Sequence, residues 1–207
     1  MRLFVAVVPP PAAREHLELA LESVRGPGAA GDSRAALRWA PQEDRHLTLA
    51  FYGEVSAGDA EELTAGLGQV ADERPALELR LRGAGVFDRR IFWIGAGGDV
   101  AGLAALSAAC VDLGRTVTGR EDHRVRSRAH LTVARVRGRE RGPSRERRAP
   151  TDDVSPLAHA LAVYEGPAWT VEEIVLVSSR PGEGRGGGPA YDRVDSFALR
   201  GAAGARP

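Results

Sequence analysis

A five-residue stretch occurs twice in this chain, as His46-Leu47-Thr48-Leu49-Ala50 and as His130-Leu131-Thr132-Val133-Ala134. Each copy alternates between polar and aliphatic residues, which is typical of a β-strand with one face on an apolar core. In an extended strand the His and Thr side chains share one face, and the aliphatic side chains share the other. A purely structural strand would carry Val or Ile at the His positions, because a buried imidazole without partners costs free energy. The repeat therefore predicts two strands that present the same polar pair to one site.

The rest of the chain predicts two similar units of strand, helix and hairpin around these motifs. Hydrophobic periodicity separates the helices from the strands, and Gly or Pro residues punctuate them. The predicted strands are 2–8, 37–40, 46–52, 76–87, 91–95, the second motif, 169–177 and 191–199. The predicted helices run from the prolines at 9–11 to about residue 25, from 59 to about 72, from 99 to 114, and onward from 155.

Local signals give the expected ends of these elements. Asp59 with Glu62 resembles a capping box, and Asp99 is a second helix cap that is followed by a stop at Gly114. Residues 88–90 predict a hairpin turn. The glycines between 182 and 188 predict a loose link between the last two strands.

Two such units predict an α+β fold with two pseudo-symmetric lobes. Each lobe would be an antiparallel sheet with helices on its outer face, and the lobes would flank a central cleft. We expect one bilobal domain over residues 1–207, in which about 201–207 form a flexible tail.

Composition excludes several chemistries. The chain contains no lysine, so all 28 basic residues are arginine. A lysine-adenylate ligase, a Schiff-base enzyme and a phosphate loop ending in Gly-Lys-Ser/Thr each need a lysine. The planar fork of arginine can bind two phosphate oxygens at once, so this composition is compatible with a phosphate ligand.

The formal charge is zero overall, but it is unevenly distributed. Residues 115–148 hold twelve arginines and four acids, a net charge of +8, and this basic segment brackets the second motif. Such a run is either a solvated loop or a surface that attracts a polyanion. Its position around His130 favours the polyanion.

Nothing in the sequence predicts secretion or a membrane span. No apolar run approaches the roughly 20 residues of a membrane helix, and the first strand is too short for a secretory signal. Cys110 is the single cysteine, so no disulfide forms within the chain. We expect a cytoplasmic protein.

Two imidazoles with two hydroxyls suit acid–base chemistry at a phosphate. With a reference pKa of about 6.5, one ring can act as base while the other acts as acid near neutral pH. The threonines, two residues after each histidine, could hold phosphate oxygens. A zinc site at His46 and His130 is a weaker interpretation because a third ligand is missing, and two satisfied core histidines are weaker still. The prediction needs no metal and no cofactor.

Two further residues are candidates for binding substrate. Tyr52 shares strand parity with His46 and Thr48, so we expect it to line the groove, although packing is the alternative. By strict alternation Arg135 belongs on the core face, and it reaches the groove only if the strand ends or bulges after Ala134.

These motifs resemble the two-histidine (2H) phosphoesterase superfamily, and within it the bacterial RNA 2′,3′-cyclic phosphodiesterases, also called 2′-5′ RNA ligases. The resemblance covers nearly the whole chain. Besides the two motifs, the matching pieces are Arg2-Leu3-Phe4-Val5-Ala6, Phe51-Tyr52-Gly53-Glu54-Val55, Arg90-Ile91-Phe92-Trp93-Ile94-Gly95 and Val171-Glu172-Glu173-Ile174-Val175-Leu176.

The resemblance implies that His46 donates a proton to the 3′ oxygen and that His130 accepts one. It also implies that Thr48 and Thr132 contact phosphate and that Arg135 assists. The implied partner is RNA with 2′,3′-cyclic phosphate ends, converted to 2′-phosphomonoesters, with reversible ATP-independent 2′-5′ ligation as a second reaction. No membrane and no obligatory protein partner are implied, and we expect a monomer.

Two alternatives stay open at this point. A 2H relative could act on small cyclic nucleotides or ADP-ribose cyclic phosphate, and a non-catalytic module could bind RNA in the same groove. The chain also departs from similar proteins at Ser127 and Ala129, where Phe and Pro are common. That departure affects a stacking contact before the second motif rather than the motif itself.

Overall fold

The computed structural model describes residues 1–25, 37–120, 129–136 and 154–201. Its strands are β1 (Arg2–Val7), β2 (Leu37–Trp39), β3 (Leu47–Glu54), β4 (Leu77–Phe87), β5 (Ile91–Gly98), β6 (His130–Val136), β7 (Trp169–Val171), β8 (Glu173–Arg180) and β9 (Ala190–Ala198). Its α-helices are α1 (Pro11–Arg25), α2 (Ala57–Glu73), α3 (Val100–Thr118) and α4 (Ser155–Ala160). Short 3-10 turns lie at Gln42–Asp44 and Arg185–Gly187.

The strands form one sheet in the order β7-β4-β5-β6-β3-β1-β8-β9, with β2 paired to β6. All pairs between these strands are antiparallel. The sheet narrows at its centre, where β3 and β6 share the single residue pair Leu47–Leu131. This junction divides the sheet into a first half, β3-β1-β8-β9, and a second half, β6-β5-β4-β7. The predicted α+β fold with two antiparallel lobes is confirmed.

The helices cover the two halves in pairs. Helices α2 and α3 pack against each other and on strands of the first half, whereas α1 and α4 pack on β4 in the second half. Because α1 directly follows β1 of the first half, the chain crosses between the halves at this point. Most buried apolar residues of both halves form one continuous core, and Phe4, Ala6, Val175 and Val177 form a second, smaller cluster.

A second crossing explains an error in the predicted strands. The predicted strand 169–177 is in fact two strands separated at Glu172. The shorter one, β7, pairs with β4, and the longer one, β8, pairs with β1 and β9. One continuous apolar stretch of sequence therefore contributes a strand to each half of the sheet. The local sequence does not indicate that the pairing strand changes from β4 to β1 and β9 within it.

Two predicted helix boundaries are also wrong. The capping box of α2 is Ser56 with Asp59: the Asp59 amide donates to the Ser56 hydroxyl at 3.1 Å, and the Ser56 amide donates to Asp59 at 3.2 Å. The N-cap therefore lies three residues before the predicted one, and the helix begins at Ala57. Helix α3 continues through Gly114 and ends at Gly119, which has a left-handed φ of 65°.

Other local predictions agree with the structure. The Asp99 carboxylate accepts a hydrogen bond from the Gly102 amide at 2.8 Å, as expected of a helix cap. The β4–β5 hairpin turns through Asp88 and Arg89, which have positive φ values of 49° and 59°. The β8–β9 connection, by contrast, is not a loose link, because it contains a 3-10 turn and the Gly184 amide donates to Gly188 O at 2.8 Å.

Helix α3 has the length and apolar composition that would allow a membrane span, which the sequence was not expected to contain. Its buried residues are Leu103, Leu106, Cys110 and Gly114. They pack against β3 and α2. We therefore interpret α3 as a core helix of this fold.

Several predictions fall on parts of the chain outside the described residues. These parts contain all arginines of the basic segment except Arg115, Arg120 and Arg135, together with Ser127 and the tail after Gly201. The polyanion surface and the flexible tail stay predictions.

The packing of Gly114 predicts opposite effects for two identical substitutions. A Cβ at Gly114 would lie 2.6 Å from two ring carbons of Tyr52, whereas a Cβ at Gly68 in α2 would meet only Phe197 at 3.8 Å. Gly114→Ala should lower the free energy of unfolding by about 1–3 kcal/mol through overpacking. Gly68→Ala should raise it by about 0.5–1 kcal/mol because Ala favours the helix. Urea denaturation measures both, and equal effects would contradict this description of the α3–β3 contact.

Candidate active site

A cleft of about 690 Å³ opens on the face of the sheet opposite the helices. It lies over the junction of β3 and β6. The four motif side chains, His46, Thr48, His130 and Thr132, all line it. The polar groups that the two motifs were predicted to share therefore meet in one site.

The junction pair explains why the motifs meet. Leu47 and Leu131 are fully buried and point into the core, so the residues on either side of each point into the cleft. In an antiparallel pair, the residue before one partner lies opposite the residue after the other. His46 therefore lies opposite Thr132, and His130 lies opposite Thr48.

A β-bulge turns Arg135 toward the cleft. Val133 is an extra residue in β6, because consecutive residues of β5 pair with Thr132 and Ala134. Such a bulge reverses the alternation of side chains beyond it. Arg135 accordingly lines the cleft, instead of lying on the core face where strict alternation would put it.

The first motif strand contains a similar bulge. Leu49 is an extra residue in β3, because consecutive residues of β1 pair with Thr48 and Ala50. The side chain that lines the cleft is consequently Phe51. Phe51 and Arg135 are thus equivalent positions, each five residues after a motif histidine.

The prediction that Tyr52 lines the groove is wrong for this reason. Tyr52 is only 6% exposed, and its hydroxyl donates to Cys110 O at 3.3 Å on α3. The bulge in β3 moves it to the core face, so packing, the alternative considered for this residue, is its role. Strict alternation cannot find Phe51, because an extra residue in one strand is visible only from its pairing with the next.

Each motif imidazole contacts two aromatic rings. The His46 ring stacks on Phe4 at 4.7 Å between centroids and meets the edge of Tyr191 at 5.2 Å. The His130 ring meets Phe87 at 4.8 Å and Trp93 at 6.0 Å. These contacts restrict the orientation of both imidazoles and shield them from water. Tyr191 comes from the last strand, and no sequence signal links it to His46.

The hydrogen bonding of His46 defines its tautomer. Its Nδ1 lies 2.7 Å from the backbone oxygen of Asp44. A carbonyl oxygen can only accept, so Nδ1 carries the proton and Nε2 of the neutral ring is an acceptor. Burial, together with the smaller effect of the positive charges of Arg135 and His130, lowers the pKa of His46 to about 4, against the opposing effect of the Asp44 hydrogen bond. The ring is therefore neutral at pH 7 in the free protein.

The cleft is cationic although the chain as a whole is neutral. Arg2, Arg38, Arg135 and Arg185 line it, and Asp44 is the single carboxylate among the described lining residues. Burial and the neighbouring Glu43 raise the pKa of Asp44, while Arg185 opposes that shift. This charge distribution attracts an anion. Sequence reasoning missed Arg2, Arg38 and Arg185 because they lie outside the two motifs, on β1, β2 and the β8–β9 connection, and only the fold brings these elements to one cleft.

The β8–β9 connection forms one wall of the cleft. Arg38 donates from Nη1 to Gly187 O at 2.8 Å, and Arg185 lies 3.6 Å from Glu43. These contacts link the loop to β2 and to the 3-10 turn before β3. Among the described residues, no three His, Cys, Asp or Glu side chains come together as a metal-binding group would.

Comparisons with known proteins agree with this geometry. Residues 8–93 match the family model described as LigT like Phosphoesterase. The predicted resemblance to the 2H phosphoesterases is confirmed. An RNA 2′,3′-cyclic phosphodiesterase of Aeropyrum pernix is 35% identical over 100 residues, which cover 46% of this chain and 55% of that protein. A protein of the same name from Geobacillus stearothermophilus is 34% identical over 116 residues, covering 51% of this chain and 35% of that protein.

The LigT fold extends over almost the whole chain. The crystal structure of E. coli LigT in apo form superposes with a TM-score of 0.67 at 23% identity, covering 96% of this chain and 97% of that one. The aligned regions of the curated relatives are shorter: they span about half of the first relative and about a third of the second. The match to the family model over residues 8–93 and the LigT-like fold are therefore what this chain shares with these proteins.

The environment of His46 predicts its titration. We expect its imidazole to titrate near pH 4 in the free protein, measured from the pH dependence of its C–H resonances by NMR. In the unfolded chain His46 takes up its proton near pH 6.5, whereas in the folded protein it does so only near pH 4. The free energy of unfolding should therefore fall by about 3 kcal/mol as the pH falls from 6.5 to 4. The His46→Gln variant has no titrating group at this position. The difference in the pH dependence of unfolding between the wild type and this variant therefore gives the contribution of His46. A midpoint near 6.5 in the folded protein would contradict the described burial.

Proposed function

We propose that this protein hydrolyses RNA 2′,3′-cyclic phosphate ends to 2′-phosphomonoesters by two-histidine acid–base catalysis. The observation that carries the proposal is the meeting of two His-Thr pairs in one cationic cleft. The names of the curated relatives support the same substrate class. Aromatic rings and arginines around the motifs suit a nucleotide, which offers both a base to stack and a charged phosphate.

The proposed reaction is an in-line displacement at phosphorus. His130 removes a proton from water as the water oxygen attacks, and the bond from phosphorus to the 3′ oxygen breaks. His46 donates a proton to that departing oxygen, so one water is added in total. Thr48 and Thr132 donate hydrogen bonds to the phosphate oxygens, and Arg135 offsets the developing negative charge. No metal or cofactor takes part in this proposal.

The donor role of His46 requires a change on binding. His46 is neutral in the free protein near pH 7, with Nε2 as an acceptor. An anionic phosphate beside the ring favours its charged form and raises its pKa. We therefore propose that His46 takes up a proton together with the substrate. With the opposite assignment, in which His46 is the base and His130 the acid, the 2′ oxygen would be the leaving group for the same orientation of the ribose.

Ligation follows from the same machinery. A 5′-hydroxyl bound in place of water could be activated by His130 and attack the cyclic phosphate, which would give a 2′-5′ linkage without ATP. This second reaction is part of the proposal. The cytoplasmic location, the monomeric state and the single domain over residues 1–207 stay predictions.

One observation favours a second candidate substrate class. A volume of about 690 Å³ lies within the roughly 300–1,000 Å³ range of small-molecule sites. The cleft itself could therefore suit a small cyclic nucleotide or ADP-ribose cyclic phosphate. Comparing kcat/KM for an oligonucleotide 2′,3′-cyclic phosphate with that for a cyclic mononucleotide discriminates between the two classes. Binding without turnover of either would indicate a non-catalytic RNA-binding module.

Substitutions in the cleft should reduce turnover in a graded order. His46→Ala and His130→Ala should each lower kcat by about 10²- to 10⁴-fold, the usual effect of losing a positioned acid or base. Thr48→Ala and Thr132→Ala should cost roughly 1–3 kcal/mol of transition-state binding. Hydrolysis is measured with excess EDTA, under which full activity is expected. Loss of activity on chelation, restored by a divalent ion, would contradict the proposed mechanism.

The matched control for these variants is Tyr52→Phe. Tyr52 belongs to the same strand as His46 and Thr48, but its hydroxyl bonds to Cys110 O in the core. This variant should keep wild-type kcat and lose about 0.5–1.5 kcal/mol of stability.

Product analysis tests the assignment of acid and base. In-line geometry requires the leaving oxygen to lie opposite the attacking water, beside the acid. If His46 is the acid at the 3′ oxygen, the product is a 2′-phosphomonoester. Chromatography against authentic 2′- and 3′-phosphate standards decides the matter. A predominantly 3′-phosphate product would mean that the acid and base roles of the two histidines, or the orientation of the ribose, are the reverse of those proposed.

A further inference from the structure

We propose that Glu18 on α1 positions the imidazole of His46 through the buried guanidinium of Arg45. The kinetic part of this proposal rests on the proposed function, and its structural part does not. Arg45 immediately precedes His46 in the chain. Neither Glu18 nor Arg45 lines the cleft, so both would act through other groups and without touching the substrate.

Arg45 is the only charged side chain among the described residues that is buried. It is 2% exposed, in a position where an arginine without a partner would be strongly destabilising. Its Nη1 lies 2.6 Å from Oε2 of Glu18. Its Nε donates to Ala40 O at 3.2 Å. The guanidinium is therefore held both by α1 and by the backbone at the start of the loop that leads into β3.

This loop carries the group that orients His46. The Ala40 amide donates to Val133 O in β6 at 2.9 Å, which anchors the start of the loop to the second motif strand. The bond from Arg45 to Ala40 closes the loop around the 3-10 turn at Gln42–Asp44. Asp44 O, the acceptor for His46 Nδ1, lies within this closed segment. Displacing the Arg45 guanidinium would move that carbonyl and release the imidazole.

Glu18 also holds a second element of the cleft. Its other carboxylate oxygen pairs with Arg25, whose guanidinium lies 4.3 Å from the centre of the Trp39 ring. Trp39 lines the cleft. Burial disfavours the Glu18 carboxylate, but Arg45 and Arg25 together lower its pKa below the usual value. One ionised carboxylate thus fixes two guanidiniums that support opposite sides of the β2–β3 loop.

The ion pair also connects the two halves of the fold. Helix α1 packs on β4 of the second half, whereas Arg45 leads into β3 of the first half. A contact at this place can set the position of His46 relative to the second motif. Positional errors on the order of 1 Å in an active site can reduce turnover by about 10²-fold.

Three variants separate positioning from simple stabilisation. Glu18→Gln leaves a charged Arg45 buried beside a neutral amide, and Arg45→Met removes the charge but keeps much of the length. The double variant Glu18→Gln/Arg45→Met contains no uncompensated buried charge. If the pair serves only stability, the double variant should recover both thermal stability and turnover. The control is Glu22→Gln, which removes an exposed carboxylate from the same helix.

The first readout needs no substrate. The ¹⁵N shifts of the His46 ring report which nitrogen carries the proton. The wild type and Glu22→Gln should be protonated at Nδ1, whereas all three Glu18 and Arg45 variants should show a mixture of tautomers. The second readout is turnover of an oligonucleotide 2′,3′-cyclic phosphate. The same three variants should lose about 10- to 100-fold in kcat with KM changed much less, and the double variant should regain thermal stability without regaining kcat.

Retention of the Nδ1 tautomer and of wild-type kcat in the double variant would overturn the proposal. So would a loss of kcat that merely follows the unfolded fraction. If the wild type turns over no cyclic phosphate, the proposed function fails, and the tautomer measurement alone then decides the positioning role of Glu18.

Discussion

The contact between Leu47 and Leu131 is the constraint on which the site depends. It is the only residue pair in the sheet register between β3 and β6, and both side chains are fully buried. A shift of one residue in this pairing would exchange the core face and the cleft face of a motif strand. The apolar core therefore fixes the register, and the register brings two histidines and two threonines to the same place. The geometry of the site is in this sense a consequence of how two leucines are buried.

The two motif strands share a backbone irregularity but differ in what it presents. Each strand bulges after its threonine, so that the fifth residue after the histidine turns into the cleft. On β3 this residue is Phe51, and on β6 it is Arg135. The Arg2 guanidinium lies 4.8 Å from the centre of the Phe51 ring. Each of the two equivalent positions therefore has a cation beside it or at it, but only the position on β3 also presents an aromatic ring. A pseudo-symmetric backbone thereby forms a chemically asymmetric cleft, whose two ends differ in charge and in aromatic surface.

Burial shapes the electrostatics of this cleft more than the number of charges does. The imidazole of His46 is enclosed by Phe4 and Tyr191, and it stays neutral because a charge there would be poorly hydrated. Four arginines line the same space and give it a positive potential. The site thus combines a low-polarity wall with a positive potential. In the proposed mechanism, an anion that enters the cleft pairs with the arginines and raises the pKa of His46.

The sequence by itself determined the antiparallel α+β fold, the two motif strands and the four polar groups that they share. Alternation, helical periodicity and turn residues are local properties, and each copy of the motif carries them in full. Only the tertiary structure decided that Phe51 and not Tyr52 lines the cleft, and that Arg135 does so as well. A bulge exists only relative to the neighbouring strand, so no single strand reveals it. The tertiary structure likewise decided the break between strands at Glu172 and the contact of Tyr191 with His46. It also decided the burial of Arg45, a charged residue in a polar loop whose partner, Glu18, comes from another part of the chain. These features depend on which segments pack together, and packing is a property of the folded chain as a whole.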